Sequence, residues 1–396
     1  MKIPFPASHA EAMATFLAEL VRIPSLSTHE DAMAARLASE MRRVGFTEVW
    51  TDRIGNVIGR VGSGQGPKLV LNGHMDIVDV GEAARWVHPP YDSVIKDGVL
   101  YGRGACDMKG GLAAMVYAVK ALLDAGITLA GDLYLVGVVQ EEPCEGCAMR
   151  VLVEEEGIQP DYVVLGEPSN LQVRVGHRGR IEMKVTVRGK AAHASSPSLG
   201  SNAIQNAARL IFGIELLAAR LATDPFLGQG TLAVTEIESQ AASRNAVPDR
   251  CVFYIDRRLT LGETERKALA EIQNIINTEE VDAQVDVTEY QATSYSGYDC
   301  RVRNVFPAWV MPEGHHLVQT AVRSIRETLG YRPRLGRWDF STDGTYTAGV
   351  ANIPTVGFGP GEECYAHTQE EQIRLNDVVD AARVYARLAV ELLGTS

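Results

Sequence analysis

The sequence predicts an α/β fold in which a mixed sheet forms one domain and a smaller α+β domain is inserted into it. Short apolar runs are typical of strands buried on both faces, and they lie at residues 68–71, 132–139, 162–165 and 353–358. Helical periodicities separate these runs, as in an α/β sheet. The pattern changes after residue 179, where residues 181–188 alternate apolar and polar side chains as in a strand with one solvated face.

The first domain begins with two amphipathic helices. Apolar residues three and four positions apart predict them over residues 9–23 and 30–44. Strands are predicted at 48–50 and 56–59, before the four buried runs. The other predicted helices of this domain are 112–123, which is rich in alanine, 314–329 and 375–393.

The insert is predicted over residues 180–294, so the first domain comprises residues 1–179 and 295–396. After the alternating strand, the insert is predicted to contain a helix over 201–221, strands over 232–237 and 251–255, and a helix over 263–277. The length of 396 residues favours two domains, because it exceeds what one ordinary core supports.

Composition excludes several functional classes. Hydrophobic residues make up 46% and charged residues 22%, which is typical of a globular protein. The net charge of -12 argues against a nucleic-acid partner. Residues 1–6 carry no long apolar run after their one charge, and no apolar stretch reaches membrane-spanning length. We therefore expect no signal peptide, no membrane partner and a cytoplasmic location.

The cysteines are too sparse for a disulfide framework, since the chain has 6 of them. Cys144 and Cys147 have CxxC spacing, which could indicate a structural zinc site or a redox pair. No second pair faces them in the sequence, so two incidental reduced thiols are the favoured interpretation, and no role is assigned to them.

The stretch around His74 combines a buried strand with reactive side chains. Gly73 lets the chain bend after the apolar run, and His74 and Asp76 follow. Alternate residues of an extended segment point the same way, so the imidazole and the carboxylate are expected side by side. A carboxylate next to a metal-binding histidine fixes its tautomer and orientation. We predict that His74 binds a metal and that Asp76 orients it; the alternative is an ordinary histidine at a strand end.

Polar residues also follow the other buried strands, where ligands gather in open α/β sheets. The full set is His74, Asp76, Asp107, Glu141, Glu142, Glu167 and His367. So many carboxylates could not share a buried edge without cations, because like charges would force protonation. Nitrogen and oxygen ligands favour Zn²⁺, with Co²⁺ or Mn²⁺ as substitutes. The sequence therefore predicts two divalent metal ions. The Gly-rich residues 102–111 lack the dinucleotide and Walker spacings, so phosphate binding is set aside.

The adjacent pair Glu141 and Glu142 suggests a division of roles. Neighbouring residues of an extended chain point to opposite sides. One carboxylate can bind metal while the other reaches the activated water, and hydrolysis needs a general base there. The alternative is a solvated acidic turn.

Five segments in order resemble the M20 metallopeptidase family, over essentially the whole chain. They are Gly-His-Met-Asp at 73–76, Gly-Arg-Gly at 102–104 with Asp-Met-Lys-Gly at 107–110, Glu-Glu at 141–142, Gly-Glu-Pro at 166–168 and Ala-His-Thr at 366–368. That family includes carboxypeptidase G2, aminoacylase-1, acetylornithine deacetylase and succinyl-diaminopimelate desuccinylase. Residues 140–142, 175–180, 255–260, 338–342 and 357–361 further resemble the YgeY-type hydrolases, a branch linked to selenium metabolism.

The resemblance implies a zinc-peptidase catalytic domain with an inserted ferredoxin-like lid that forms a homodimer. It implies that Asp107 bridges two zinc ions. His74 and Glu167 would hold one ion, and Glu142 and His367 the other. Glu141 would act as general base and acid, and Asp76 would orient His74.

Within the insert, residues 189–195 resemble the family's lid histidine motif. The resemblance implies that His193 reaches the partner subunit's site and stabilises the oxyanion, which needs a placed hydrogen-bond donor. Without it, His193 would be taken for a surface histidine. Residues 243–248 resemble a second lid motif, which places Asn245 near the reacting amide.

Two further segments are assigned to substrate binding. Residues 256–258 resemble the family's Asp-x-Arg motif, so Arg258 is expected to bind the substrate carboxylate, a task that suits a guanidinium. Arg180, Arg244 and Arg257 are the alternatives. Residues 341–344 resemble a substrate-contact loop, which includes Thr342 and Gly344.

The expected function is hydrolysis of an amide or peptide bond in a small substrate with a free α-carboxylate, either a dipeptide or an N-acyl amino acid. N-carbamoyl amino acids are an alternative substrate class. A non-catalytic binding homologue is a further alternative, but it predicts a missing ligand or base, and none is missing. A dinucleotide-dependent enzyme is rejected because the glycine fingerprint is absent.

Overall fold

The computed structural model describes residues 3–395. Met1 and Lys2, which begin the segment predicted to lack a signal peptide, lie outside the described residues, as does Ser396. The elements before the second sheet are α1 (Ala7–Val21), α2 (Asp31–Val44), β1 (Glu48–Thr51), β2 (Val57–Gly62), β3 (Lys68–His74), β4 (Val94–Lys96), β5 (Val99–Tyr101), α3 (Gly110–Asp124), β6 (Asp132–Val138), α4 (Cys147–Arg150), β7 (Tyr162–Leu165) and β8 (Val173–His177).

The middle of the chain forms β9 (Gly179–Arg188), α5 (Ala203–Ala218), β10 (Thr223–Asp224), β11 (Gly228–Gln229), β12 (Thr231–Gln240), β13 (Arg250–Leu259), α6 (Glu265–Thr278), β14 (Ala283–Val287), β15 (Glu289–Thr293), β16 (Asp299–Arg303) and β17 (Val305–Phe306). The last part forms β18 (Trp309–Val310), α7 (His316–Leu329), β19 (Leu335–Trp338), α8 (Gly344–Thr347), β20 (Thr355–Gly357), β21 (Gln372–Arg374) and α9 (Leu375–Leu393).

A nine-stranded mixed sheet forms the larger core. Its order is β1-β2-β6-β3-β7-β20-β8-β18, and β19 pairs with β8. The neighbours β6, β3, β7 and β20 are parallel, whereas β1, β2, β8 and β18 pair antiparallel. The apolar runs of the sequence form the central strands, and every residue of β6 is buried. The predicted α/β class with a mixed sheet is confirmed.

The register of the parallel strands brings their carboxyl ends together. His74 of β3 lies beside Val138 at the end of β6. Leu165 at the end of β7 pairs with Gly357 at the end of β20. Polar residues that follow these strands therefore meet at one edge of the sheet.

A second, antiparallel sheet has its own core. Its order is β12-β13-β9-β14, and β17 also pairs with β9. Buried side chains alternate along β9, as the sequence pattern predicts. They pack with apolar residues of α5 and α6 in a cluster separate from that of the larger sheet. The change from continuous to alternating apolar residues after residue 179 therefore marks the start of a second sheet with its own core.

The hairpin β15–β16 reaches back to the larger domain. Tyr290 and Cys300 of this hairpin pack in the core of the first sheet. Residue 294, where the sequence suggests that the insert ends, lies between its two strands. Over residues 3–395, none of the helices combines the length and the apolar character needed to cross a bilayer.

Candidate metal centre

The candidate centre lies where the four parallel strands end. His74 is the last residue of β3, and Glu141 and Glu142 follow β6 after a two-residue link. Glu167 follows β7, and His367 lies in the segment between β20 and β21. His74, Glu141 and Glu167 are buried, with 1%, 6% and 4% of their surface exposed. The sequence-predicted ligands therefore converge in space.

Asp107 enters the centre from the irregular segment before α3. Its φ and ψ are -118° and 93°, so the backbone is not helical there, and the peptide bond between Asp107 and Met108 is cis. The Glu371 carboxylate accepts hydrogen bonds from the backbone N–H groups of Cys106 and Asp107, both at 3.0 Å. Arg103 in turn donates to Glu371 at 2.7 Å. This buried pair fixes the backbone that carries Asp107.

The two carboxylate oxygens of Asp107 face two different histidines. Asp107 Oδ1 lies 3.0 Å from His74 Nε2, and Asp107 Oδ2 lies 3.3 Å from His367 Nε2. Glu167 lies on the His74 side, at 3.7 Å from Nε2. Glu142 lies on the other side, at 3.0 Å from His367 Nε2. Each histidine thus shares Asp107 and has a glutamate of its own, which is the arrangement of a carboxylate that bridges two cations.

Asp76 contacts His74 through a different group from the one expected. The His74 Nδ1–H donates to the backbone carbonyl of Asp76 at 2.9 Å, while the carboxylate is 3.8 Å away. A carbonyl can only accept, so Nδ1 carries a proton and Nε2 is the ring atom that meets Asp107 or a cation. The Asp76 carboxylate instead accepts the backbone N–H groups of Glu141 and Glu142, at 3.1 and 3.2 Å. The sequence could not reveal this, because alternation along an extended chain does not distinguish side-chain from backbone contacts.

Glu141 has the surroundings of a reactive group. Its Oε1 atom is buried without a hydrogen-bond partner. The preceding residue, Gln140, has a left-handed φ of 54°, and His367 has one of 60°. Left-handed backbone at residues other than glycine costs of order 1 kcal/mol and clusters at functional sites.

The charges of the cluster perturb one another strongly. Burial, together with the nearby Glu167 carboxylate, raises the pKa of Glu141 well above its usual value. Although burial opposes the charged imidazolium, the Glu167 and Asp107 carboxylates raise the pKa of His74 well above its usual value. Hydrogen bonds to Asp107 and Glu142 raise the pKa of His367 to about 10. The buried carboxylates therefore favour any bound positive charge, whether a proton on a histidine or a metal cation.

Divalent cations fit this donor set. The carboxylates of Asp107, Glu141, Glu142 and Glu167 carry four negative charges, which two divalent cations would balance. Two trios of potential ligand atoms each lie within 4.8 Å of one another: His74, Asp107 and Glu142, and His74, Glu141 and Glu167. The Glu141 Oε1 atom has no hydrogen-bond partner, and a cation or its bound water would supply one.

The centre opens into a cavity of about 630 Å³. This volume is typical of a small-molecule site. Glu141, Glu167 and His367 line its floor, and Arg180 and Arg258 also line it. A cavity lined by carboxylates and guanidiniums can hold metal cations on one side and the anionic group of a ligand on the other.

The four arginines considered for the substrate carboxylate have different environments. Arg257 is buried and pairs with Glu263 at 2.6 Å, so it is a structural ion pair. Arg244 is exposed, outside the residues that line the cavity. Arg258 makes a two-point contact with Asp256 at 2.7 and 3.0 Å, and Arg180 donates to Glu145 at 2.7 Å. The cavity therefore leaves Arg258 and Arg180 as candidates.

Thr342 and Gly344, which are predicted to contact substrate, are not among the residues that line the cavity. Both are buried, and the Thr342 backbone N–H donates to His177 Nδ1 at 2.8 Å. The residues of this loop that line the cavity are Phe340 and Ser341. The motif identifies the loop, but only tertiary packing decides which of its residues face the cavity.

His193 and Asn245 lie together on the second sheet's unit, away from this cavity. His193 pairs with Ala246 in an isolated β-bridge, and the Ala194 N–H donates to the Asn245 carbonyl at 2.8 Å. Both residues are exposed. The structure therefore brings these two predicted residues to each other, and neither is among the residues that line the cavity.

The sequence reasoning missed Glu371 and Glu145. Glu371 is 1% exposed and holds the Asp107 backbone; its signal was Arg103, a buried arginine in a Gly-rich segment that needs a carboxylate partner. Glu145 pairs with Arg180 across the junction of the two sheets. The feature of the sequence that could have indicated Glu145 is the presence of three glutamates within the five residues 141–145.

Comparison with known proteins agrees with this geometry. The family model of Peptidase family M20/M25/M40 matches residues 70–391. The Escherichia coli K12 protein YgeY is 39% identical over 384 residues, which are 97% of this chain and 95% of YgeY. The name YgeY states no activity, so this similarity shows that the two proteins are related but identifies no substrate.

Two solved structures share the fold. The aminopeptidase PepT of Bacillus cereus ATCC 10987 has a TM-score of 0.75 at 23% identity, over 97% of this chain and 98% of PepT. The Bacillus subtilis YXEP protein, a dinuclear metal binding peptidase, has a TM-score of 0.70 at 16% identity, over 99% of this chain and 100% of its own. The similarity extends over both sheets.

Proposed function

The chain belongs to the M20/M25/M40 peptidase family, and from this membership we propose that it is a hydrolase with two divalent metal ions, cleaving an amide or peptide bond in a small substrate that carries a free α-carboxylate. Dipeptides and N-acyl amino acids are the proposed substrates. The metals are proposed to be Zn²⁺, with Co²⁺ or Mn²⁺ as substitutes, because the ligand atoms are nitrogen and oxygen.

The observation that carries this proposal is the position of Asp107. Its two oxygens face His74 at 3.0 Å and His367 at 3.3 Å, and each histidine has a second carboxylate nearby. We assign His74, Glu167 and Asp107 to one ion and His367, Glu142 and Asp107 to the other. Two divalent cations, when bound, would lower the pKa of a water molecule and polarise the scissile carbonyl.

Glu141 is proposed as the general base and acid. Its Oε1 is buried and without a partner, so it can take a proton from the attacking water. The same oxygen can then deliver that proton to the leaving nitrogen. Asp76 supports this role by holding the backbone N–H groups of Glu141 and Glu142. Asp76 is therefore a positioning residue for both the base and His74.

Arg258 is proposed to bind the substrate carboxylate. It lines the cavity with Glu141 and keeps a fixed orientation through its contacts to Asp256. A guanidinium fork suits a carboxylate. Arg180 is the alternative, but its side chain is less exposed than that of Arg258, at 16% against 25%, and its partner Glu145 is buried.

The second sheet's unit, residues 180–294, is proposed to be a lid that forms a homodimer. The support is that His193 and Asn245 are exposed and are not among the residues that line the cavity of their own chain. In a dimer, the partner subunit's His193 would donate a hydrogen bond to the oxyanion, and Asn245 would lie near the amide. We propose a cytoplasmic location.

The test is hydrolysis of a panel of dipeptides and of N-acetyl-, N-succinyl- and N-carbamoyl-amino acids, with metal content measured in the same samples. Activity that follows about two Zn²⁺ or Co²⁺ per chain supports the two-ion proposal, and its loss with chelator and return with metal would complete that support. Turnover of the N-carbamoyl class alone would favour the alternative substrate. Bound metal without turnover of any class would favour a binding homologue.

A matched variant separates the metal centre from the fold. Asp107→Asn keeps the size of the side chain but weakens the bridge between the ions. We expect it to lose both metal and activity, while its thermal unfolding under chelating conditions stays that of the parent. An Asp107→Asn protein that keeps both ions and full activity would contradict the proposal.

A further inference from the structure

A cluster of three buried cysteines lies apart from the carboxylates. Cys144 and Cys147 come from the turn after Glu142 and the start of α4, whereas Cys300 comes from β16. The three sulfur atoms lie within 4.8 Å of one another, and Cys147 Sγ is 2.6 Å from Cys300 Sγ. Their exposed fractions are 1%, 4% and 1%. A long stretch of chain therefore folds back to place a third sulfur beside the CxxC pair.

The surroundings supply compensating charge. The Arg150 side chain interacts with the Cys147 sulfur, and it also lies 3.5 Å from the Glu155 carboxylate. Ordinary buried thiols are neutral and need no guanidinium beside them. A disulfide is also neutral, and it would use two sulfurs and leave the third unpaired. A cation held by thiolates, in contrast, uses all three sulfurs.

We propose that Cys144, Cys147 and Cys300 bind one thiophilic cation of low coordination number, such as Cu⁺, at a site separate from the carboxylate centre. Soft thiolate ligands select such cations. Among residues 3–395, no histidine, carboxylate or further cysteine completes this group as a fourth ligand. Structural zinc sites are four-coordinate, so the three-sulfur set favours Cu⁺ over Zn²⁺.

Binding requires a small rearrangement. Sulfur atoms at about 2.3 Å from a central cation are about 4 Å from one another. The Cys147 and Cys300 sulfurs must therefore move apart by about 1.4 Å, from 2.6 Å, and side-chain rotation provides such a displacement. Cys144 is already within the range that a shared cation needs.

The site joins two parts of the fold. The Cys144 backbone N–H donates to the Glu141 carbonyl at 3.1 Å, so one ligand belongs to the turn that carries Glu141. Tyr290, on the strand paired with that of Cys300, donates to the Gln140 side chain at 2.7 Å. A bound cation would therefore fasten the β15–β16 hairpin to this turn, and we expect loading to raise the thermal unfolding temperature.

The experiment is an anaerobic titration of the reduced, Zn²⁺-loaded full chain with Cu⁺, followed by thiolate-to-metal charge-transfer absorption. The carboxylate centre has no sulfur ligand, so it gives no such band. We expect the band to saturate at about one Cu⁺ per chain, the stoichiometry of one three-thiolate site. Bound Cu⁺ should also protect these cysteines from alkylation and leave the exposed Cys364 reactive.

Single variants locate the site. Cys147→Ser and Cys300→Ser are expected to lower Cu⁺ affinity by at least about tenfold, since even outer-shell changes cost that much. Cys251→Ser removes a buried cysteine outside the cluster and should leave the titration unchanged. Absence of the band in the reduced parent chain would overturn the proposal without reference to any variant. A Cys147–Cys300 disulfide that persists with Cu⁺ unbound would overturn it as well.

Discussion

Glu141 and Glu142 are adjacent in sequence but differ in every contact of their carboxylates. Glu142 lies 3.0 Å from His367 Nε2, its proposed fellow ligand. The Glu141 Oε1 atom is buried without a hydrogen-bond partner, and the residue lines the cavity. Asp76 holds the backbone of both residues, which fixes the turn between them. These contacts support the proposed roles, in which Glu142 binds metal and Glu141 transfers a proton.

Glu141→Gln should lower kcat by roughly 10²- to 10⁴-fold, the range for loss of a general base. Glutamine keeps the shape but cannot take the proton, so KM and metal content should change little. The measurement is steady-state kinetics on metal-assayed protein. Glu142→Gln is the comparison, because it should lose metal and activity together. A Glu141→Gln protein with full metal and parental kcat would refute the assignment.

Arg258→Ala should raise KM for substrates with a free α-carboxylate. Charged hydrogen bonds contribute roughly 1.5–3 kcal/mol, which predicts a rise of roughly 10- to 100-fold. The same substrates with an amidated carboxyl group should be much less affected. Arg257→Ala serves as the contrast, because it breaks a buried ion pair and should lower stability by roughly 3–5 kcal/mol. An unchanged KM in Arg258→Ala, with an increase in Arg180→Ala, would reassign the role to Arg180.

At the scale of elements, the crossing from β8 to β9 depends on a buried histidine. His177 ends β8, and its Nδ1 accepts the Thr342 N–H at 2.8 Å. The ring lies 5.6 Å from that of Trp309 on β18. Burial lowers the pKa of His177 from its ordinary 6.5 to about 3. The junction between the two sheets therefore requires an uncharged imidazole.

This shift predicts acid sensitivity of the fold. Between pH 6.5 and about 3, the unfolded chain binds a proton at His177 that the folded chain does not. The stability that this group contributes is therefore complete above pH 6.5 and falls as the pH decreases, by about 1.4 kcal/mol per unit. His177→Gln should flatten the pH dependence of the free energy of unfolding between pH 6.5 and 5 by that slope. Denaturant unfolding at several pH values measures it.

The exposed His29 supplies the control for this experiment. His29→Gln removes a histidine without changing the junction, so its pH dependence should match that of the parent. Equal slopes for His177→Gln and the parent would mean that His177 is not kept neutral by burial.

At the scale of the molecule, two sheets with separate cores meet along a narrow region near the cavity. Arg180 of β9 pairs with Glu145 from the turn after β6, and the hairpin β15–β16 packs into the larger core. His193 takes part in neither of these contacts and is exposed. If the second sheet's unit forms a dimer, each site is completed by the other chain.

Hybrid dimers test this arrangement. Coexpressed Glu141→Gln and His193→Ala chains, carrying different tags, should give hybrids in which one site has both groups intact. Random assortment of two chains into symmetric dimers predicts about a quarter of the parental activity in the mixture. Each variant alone should be nearly inactive. A mixture no more active than the average of the two, or a fully active monomer in sedimentation, would contradict action across the dimer.

The sequence by itself determined the class of the fold and the candidate ligands of the centre. Buried parallel strands read as continuous apolar runs, and their carboxyl ends gather at one edge, so His74, Glu141, Glu142 and Glu167 could be placed together before any coordinates. The alternation along β9 likewise indicated the second layer. These signals are local, and each depends on a few neighbouring residues.

Only the tertiary structure decided the contacts between distant segments. It assigned the Asp76 carbonyl to His74, the Glu371 carboxylate to the Asp107 backbone, and Ser341 to the cavity in place of Thr342. It also brought Cys300 to the CxxC pair, which had no partner in the sequence. Such contacts depend on how elements pack, and packing geometry leaves no periodic trace in the chain.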